Sequence, residues 1–197
     1  IGAIEGYLNL IVEGLTANNP EKEASIIQKC RDKAHNLIEM INDLLDLSKT
    51  ERKIDEKHIK SLDLKEIMDE TIGFYRNEAK EKDINLQYTV DENIEKVRGV
   101  MEELSRVCAN LISNAIKYTP EKGWVNVSIK QDNHHIHIIV QDSGIGISSV
   151  ALEKIFDEFY RAENAVQSKI IGTGLGLSIA HKIVKDHNGY IDVQSKL

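Results

Sequence analysis

The chain has 197 residues, 41% hydrophobic and 29% charged, the composition of a folded globular protein with room for one large domain or a domain plus an appendage. Lys and Arg total 25 against 32 Asp and Glu, a net charge of −7, and this acidic balance argues against nucleic acid as a partner. Cys30 and Cys108 stand far apart with no second thiol near either, which excludes a disulfide framework and a cysteine zinc site and fits a reducing, intracellular setting.

Ile1, Ile4, Leu8, Ile11 and Leu15 recur at alternating steps of three and four, the seam of a packed helix. Asn18, Asn19 and Pro20 break that pattern. A second helix is predicted to start at Pro20, capped by Asn19, with Glu21 and Glu23 at its positive end. It carries Ile27, Cys30, Ala34, Leu37, Ile41, Leu44 and Ser48, widened by Ile38, Leu45 and Leu47. That stripe exceeds what one partner helix covers, so pairing of two hairpins into a dimeric four-helix bundle is expected; the plainer reading docks the hairpin on the rest of its own chain. The division falls near residue 55. Beyond it the pattern predicts a short strand over 57–62, a helix over 64–80, a strand over 84–90 and a helix over 102–118 ended by Thr119 and Pro120. A strand pair follows over 124–130 and 136–140, turning at Asp132 and Asn133. The remainder reads as a short helix over 150–156, an irregular stretch over 157–174, a helix over 175–186 and a final strand over 190–194. The fold class is therefore α+β, a helical hairpin (residues 1–55) followed by an α/β sandwich (residues 56–197). No apolar run is long enough to span a membrane and no signal peptide opens the chain. It begins inside a helical repeat without an initiating Met and ends in an unfinished strand, the expectation for a fragment.

Four clusters carry candidate chemistry. Asn110, Asn114, Lys117 and Tyr118 fall on one side of a helix, where carboxamides, an ammonium and an aromatic suit a hydrated metal, phosphates and a base. A solvated polar face is the plainer alternative for that segment alone. Asp142, Gly144 and Gly146 follow an apolar strand; the carboxylate can accept from an exocyclic amine and the glycines allow close approach. Phe156, Phe159 and Tyr160 crowd five positions ahead of Arg161, either as a small satellite core or as a latch for a loop, with the arginine able to meet a phosphate. Gly172, Thr173, Gly174, Leu175, Gly176 and Leu177 lead into a helix, a glycine-rich start whose amides suit an anion. Its spacing is neither the dinucleotide fingerprint nor a P-loop.

Taken in order, these clusters resemble the N, G1, F and G2 boxes of the sensor histidine kinases of two-component systems, and Leu44 to Ser48 resembles the end of that family's dimerisation and phosphotransfer hairpin. The resemblance implies an ATP-binding domain of Bergerat type. It assigns Asp142 to the adenine amine, with Gly144 and Gly146 shaping that end. Asn110 would ligate Mg²⁺, Asn114 and Lys117 would face phosphates, and Tyr118 the nucleoside. Residues 157–169 would form a mobile ATP lid anchored by Phe156 and Phe159, with Arg161 reaching the phosphates. Gly172, Thr173, Gly174, Leu175, Gly176 and Leu177 would wrap the phosphate tail. The implied partners are a second copy of the chain and a response-regulator receiver domain.

The implied activity is transfer of the ATP γ-phosphoryl to a histidine and then to a response-regulator Asp. The family's phosphoacceptor box is missing, so that histidine is expected upstream of Ile1; His35 on the second helix reads as standing in for a surface cation, His58, His181 and His187 carry no distinguishing context, and His134, His135 and His137 suggest a solvated turn rather than a metal site. Val100 stands where the family often has a capping Asp, and Arg106 where it has Gln or Glu. The alternative class is a Bergerat-fold ATPase or degenerate regulatory module that never phosphorylates histidine; a purely structural dimerisation protein is a third. The fragment reads as cytoplasmic, with membrane anchoring of the whole protein left open.

Overall fold

The computed structural model describes residues 2–16, 19–50, 58–168, 170 and 172–197. Helix α1 (Gly2–Val12) packs antiparallel-fashion beside the much longer α2 (Pro20–Thr50). The expected seam of α1 runs to Leu15, but the helix stops at Val12. Gly14, at φ +71°, sends its N–H to Ile11 O (3.0 Å) while Leu15 N reaches Leu10 O (3.1 Å), the paired bonds of a left-handed glycine cap. The predicted cap of α2 is present, with Asn19 Oδ1 accepting from Lys22 N at 2.9 Å. The expected division near residue 55, the first position of the strand placed at 57–62, and the side chains of Leu47 and Ser48 lie outside the described residues, and that strand is shorter than expected, covering Lys60–Leu62.

Two stripes run along α2. Ile26 and Cys30 are buried and Leu37 half-buried. Beside them Ile27, Ile38, Ile41 and Leu45, separated by steps of eleven, three and four and hence on one face, remain about half exposed. A length mismatch leaves Ile38, Ile41 and Leu45 beyond α1, while Ile27, next to the buried Ile26, lies on the face that α1 does not cover. At 1.5 Å per residue the 11 residues of α1 reach about 16 Å along a helix of 31 residues, about 46 Å long.

The second part is built on a three-stranded sheet. β2 (Asn85–Val90), β4 (Trp124–Gln131) and β5 (Ile136–Asp142) lie in the order β2-β4-β5, with β2 parallel to β4 and β5 antiparallel to it. A parallel neighbour needs a crossover, and α4 (Met101–Tyr118) supplies it. Val125, Val127 and Ile129 alternate inward along β4 beneath α3 (Leu64–Glu81) and α4, which contribute Ile67, Met68, Ile72, Ile112 and Ile116 to one core. α3 begins where Asp63 caps it, accepting from Lys65 N at 2.9 Å. A separate pair, β1 (Lys60–Leu62) with β3 (Val97–Gly99), is antiparallel. α7 (Gly176–Asp186) packs on the other flank of α4 through Leu175, Ile179, Ala180 and Ile183 against Val107.

Two short helices, α5 (Ser149–Leu152) and α6 (Glu163–Gln167), interrupt the loop region, the second within the stretch predicted to be irregular. The predicted final strand differs more. From Tyr190 to Ser195 burial alternates with period two, so the segment is extended. It runs beside β5, with Tyr190 against His135 and Ser195 bonded to Ile147, yet it makes no ladder.

Candidate functional site

α4 brings the first cluster together and orients it. Cys108, Ile112, Ala115 and Ile116 face the sheet-side core, Val107 faces α7, and Asn110, Asn114, Lys117 and Tyr118 are left on the remaining arc, each half-buried. Val100, at the head of this helix, has no side-chain cap. The acceptor comes from the other end of the fold: His187, at the C-terminal end of α7, accepts from Val100 N at Nε2 (3.1 Å) while Nδ1 donates to Ile183 O (2.8 Å). This pattern assigns the neutral Nδ1–H tautomer. His187 had no distinguishing context in the sequence, because its partner lies 87 positions away.

A cavity of ≈ 300 Å³ opens beside α4. Asn114, Tyr118, Asp142, Gly146, Arg161 and Leu177 all line it, so the structure gathers candidates from all four clusters. Its walls are apolar where Ile138, Val140 and Ile155 contribute, and residues 191–195 close one side. Asp142 sits at the end of β5, its Oδ1 accepting from Gly144 N at 2.8 Å, which folds the loop back under the carboxylate. The second carboxylate oxygen remains available to a ligand amine. α6 leans on the same loop: Asn164 Nδ2 donates to Gly146 O (2.8 Å) and to Ile145 O (3.3 Å). That clasp, between the lid stretch and the Asp142 loop, had no signal in the sequence.

Arg161 folds inward rather than out to solvent. Its guanidinium donates to Ile170 O and meets the Tyr118 hydroxyl, while Nε is buried without a partner. Burial pushes the Tyr118 phenol above its ordinary value, and the neighbouring guanidinium offsets part of that rise. Phe156 stacks on His181 of α7 with ring centroids 4.6 Å apart. Phe159 is 52% exposed and makes its close contact through the backbone.

Gly174 has φ +77°, and a Cβ there would fall 2.7 Å from the Phe159 carbonyl carbon, so conformation and space both demand glycine. Thr173 Oγ1 accepts from Leu175 N (3.2 Å) and donates to Asp43 Oδ2 of α2 (2.5 Å), joining the glycine-rich loop to the hairpin. Leu175 itself is fully buried, so its side chain packs and only its backbone faces the loop. Two distances place this loop over α4. A Cβ on Gly172 would lie 3.0 Å from Lys117 Nζ, and one on Gly176 would lie 3.1 Å from Asn110 Oδ1. Asn110 Nδ2 is buried and has no partner.

The turn between β4 and β5 is organised by Asp132, whose Oδ1 accepts from His134 N and His135 N and whose Oδ2 meets His137 Nε2, each at 2.8 Å. Hydrogen bonding from His137, then from the two amides, holds this carboxyl well below the usual carboxylate range. Among the described residues, no group of three His, Cys, Asp or Glu side chains is arranged to hold a metal. No described helix is long and apolar enough to cross a membrane.

The profile of the histidine kinase-, DNA gyrase B- and HSP90-like ATPases matches residues 99–197. The sensor histidine kinase WalK of Bacillus subtilis (strain 168) is 32% identical over 190 residues, which cover 95% of this chain and 31% of WalK; the chain thus spans about a third of that relative's length. The nucleotide-free catalytic domain of histidine kinase ThkA superposes with TM-score 0.58 at 27% identity, over 66% of this chain and 81% of that one. Histidine kinase ThkA in complex with the response regulator protein TrrA shares the fold over 94% of this chain and 52% of that one, with TM-score 0.68 at 22% identity.

Proposed function

The chain belongs to the histidine kinase-, DNA gyrase B- and HSP90-like ATPase family, and on that footing we propose that it is the ATP-binding and dimerising core of a sensor histidine kinase. The observation that carries the proposal is the convergence, on one cavity and the arc of α4 beside it, of polar helix side chains, an Asp-Gly loop and a glycine-rich helix start. The residues fit a magnesium nucleotide. Asn110 offers a hard carboxamide oxygen beside Gly176, where a Cβ would stand only 3.1 Å from it, and its other amide atom is orphaned in the interior.

In this reading, Asp142 accepts from the adenine amine, and Ile138 and Val140 pack on the base. Lys117 neutralises phosphate charge, with the amides of residues 172–177 as donors around the phosphate tail. Arg161 leaves the Ile170 carbonyl to join them. Tyr118 lines the nucleoside side. When bound, Mg·ATP would supply the γ-phosphoryl group for an imidazole nitrogen of the phosphoacceptor histidine. Residues 1–55 are the dimerising and phosphotransfer unit, and residues 56–197 the catalytic unit. The exposed Ile27, Ile38, Ile41 and Leu45 stripe supports pairing with a second copy. The next acceptor is the Asp of a response-regulator receiver domain. Asp43 on the hairpin, bonded to the glycine-rich loop, brings the two units into contact.

Titration calorimetry tests this reading. Saturable, Mg²⁺-dependent ATP binding that Asp142→Asn weakens is expected, because an amide in that place presents a donor toward the adenine amine. Absence of ATP binding by the native chain refutes the reading. In a chain that carries a phosphoacceptor histidine ahead of Ile1, stable radiolabel from γ-labelled ATP on that histidine is expected; ATP hydrolysis without that label would establish the ATPase-switch alternative instead.

A further inference from the structure

We propose that Lys82 is a positioning residue for nucleotide binding: its ammonium holds the last turn of α4, and through that turn the three elements that meet at the nucleotide site. The inference rests on the ATP-binding reading above. Lys82 is the C-terminal cap of α3, half-buried, and lies outside the cavity lining. Its Nζ donates to Ile116 O at 2.6 Å, Thr119 O at 2.9 Å and Lys117 O at 3.2 Å. An ammonium has three N–H donors, and here each finds a carbonyl. The last carbonyls of a helix have no partner within it, and a positive charge is favoured at that pole. Lys82 O also accepts from Lys122 N (3.2 Å), which ties down the loop that leaves α4.

What separates this contact from an ordinary helix cap is the load on the capped turn. Lys117 meets the glycine-rich loop at Gly172. The Tyr118 hydroxyl meets Arg161 of the lid stretch. Tyr118 O accepts from Ile145 N at 3.2 Å, and a Cβ on Gly144 would lie 2.9 Å from that same oxygen, so the Asp142 loop is seated on the turn as well. Displacing one carbonyl cluster therefore shifts the phosphate-facing ammonium, the lid contact and the adenine-facing loop together. No side chain of Lys82 itself needs to reach the ligand.

The test compares Mg·ATP affinity with thermal stability in the 197-residue chain. Lys82→Met is expected to raise the ATP Kd about tenfold, since misplacement of binding groups by about an ångström is costly out of proportion to its size. Lys82→Arg, which keeps a charged multiple donor, is expected to recover most of the affinity. Asp63→Ala removes the cap at the far end of α3 and is expected to lower Tm while leaving Kd unchanged. A Lys82→Met chain of lowered Tm and native Kd would overturn the proposal, as would an Asp63→Ala chain whose Kd rises equally. Should Lys82→Met fail to fold, Lys82→Gln carries the same Kd comparison with the same two outcomes. Failure of the native chain to bind Mg·ATP removes the functional reading and the proposal with it, and is visible before any variant is measured.

Discussion

Removing the carboxylate of Asp43 is expected to tighten Mg·ATP binding, although the residue lies on the hairpin. Thr173 donates to Asp43 Oδ2 at 2.5 Å, a charge-assisted bond between α2 and the loop proposed to wrap the phosphates. Bonds to charged groups contribute about 1.5–3 kcal/mol, and partial solvent access places this one near the low end, at about 1.5 kcal/mol. A polyphosphate at the loop must either draw Thr173 away or sit beside a like charge, so the free state is favoured by that amount over the bound state. At about 1.4 kcal/mol per tenfold, Asp43→Ala lowers the ATP Kd about tenfold. Asp43→Asn retains an acceptor without the charge and falls between. Calorimetry at two ionic strengths provides the assay, with the difference narrowing in high salt as screening grows. Equal or weaker binding by Asp43→Ala would mean that the bond survives in the nucleotide complex, and the competition argued from the structure would be wrong.

Other outcomes follow from the same geometry. His187→Phe keeps a ring but leaves Val100 N–H without its acceptor; a loss of about 1–3 kcal/mol is expected, read as a lower Tm in circular dichroism, and an unchanged Tm counts against the cross-fold cap. Burial pushes the Cys108 thiol up to about 12. The folded chain keeps this proton where the unfolded chain releases it, so the contribution is full below the ordinary thiol value and is lost as pH rises from there toward about 12. Urea denaturation at pH 8 and 10 should therefore show a steeper loss of stability for the native chain than for Cys108→Ala; equal slopes would contradict the assignment. Glu at Ile38 and Leu45 together is expected to convert a sedimenting dimer to a monomer, and an unchanged mass would rule out that stripe as the bundle seam.

Long periodic elements were legible in the residues because their signal is local. Ile67, Met68 and Ile72 mark the buried face of α3 by spacing alone, and Val125, Val127 and Ile129 do the same for β4. β3 was not legible: three residues carry no period, and the strand exists because Val97 and Gly99 pair with Leu62 and Lys60. The grouping of Asn114, Tyr118, Asp142 and Arg161 could be anticipated from their order in the chain, but their depth and partners could not. Lys82 and His187 are silent in the sequence for one reason. Each acts on a backbone group distant in sequence, and a lone Lys or His in a polar stretch announces nothing about which carbonyl or amide it will meet. Asp43 and Thr173, 130 positions apart, meet only because α2 packs on α7.

One feature of α4 bears on how genetic variation in this protein will be read. Ile112 and Ile116, completely inaccessible to solvent, sit on the same two turns as Asn114 and Lys117, with Asn114 about half a revolution away from both. No flexible joint separates them. A methylene lost beneath the helix is accommodated by rolling or sinking the helix, and the groups above travel with it. Substitutions here that never touch a ligand will therefore present as binding defects alongside a loss of stability, and second-site revertants will be found beneath the helix in Val125 or Val127. A survey that sorts positions into scaffold and site by distance from the cavity would misfile this helix.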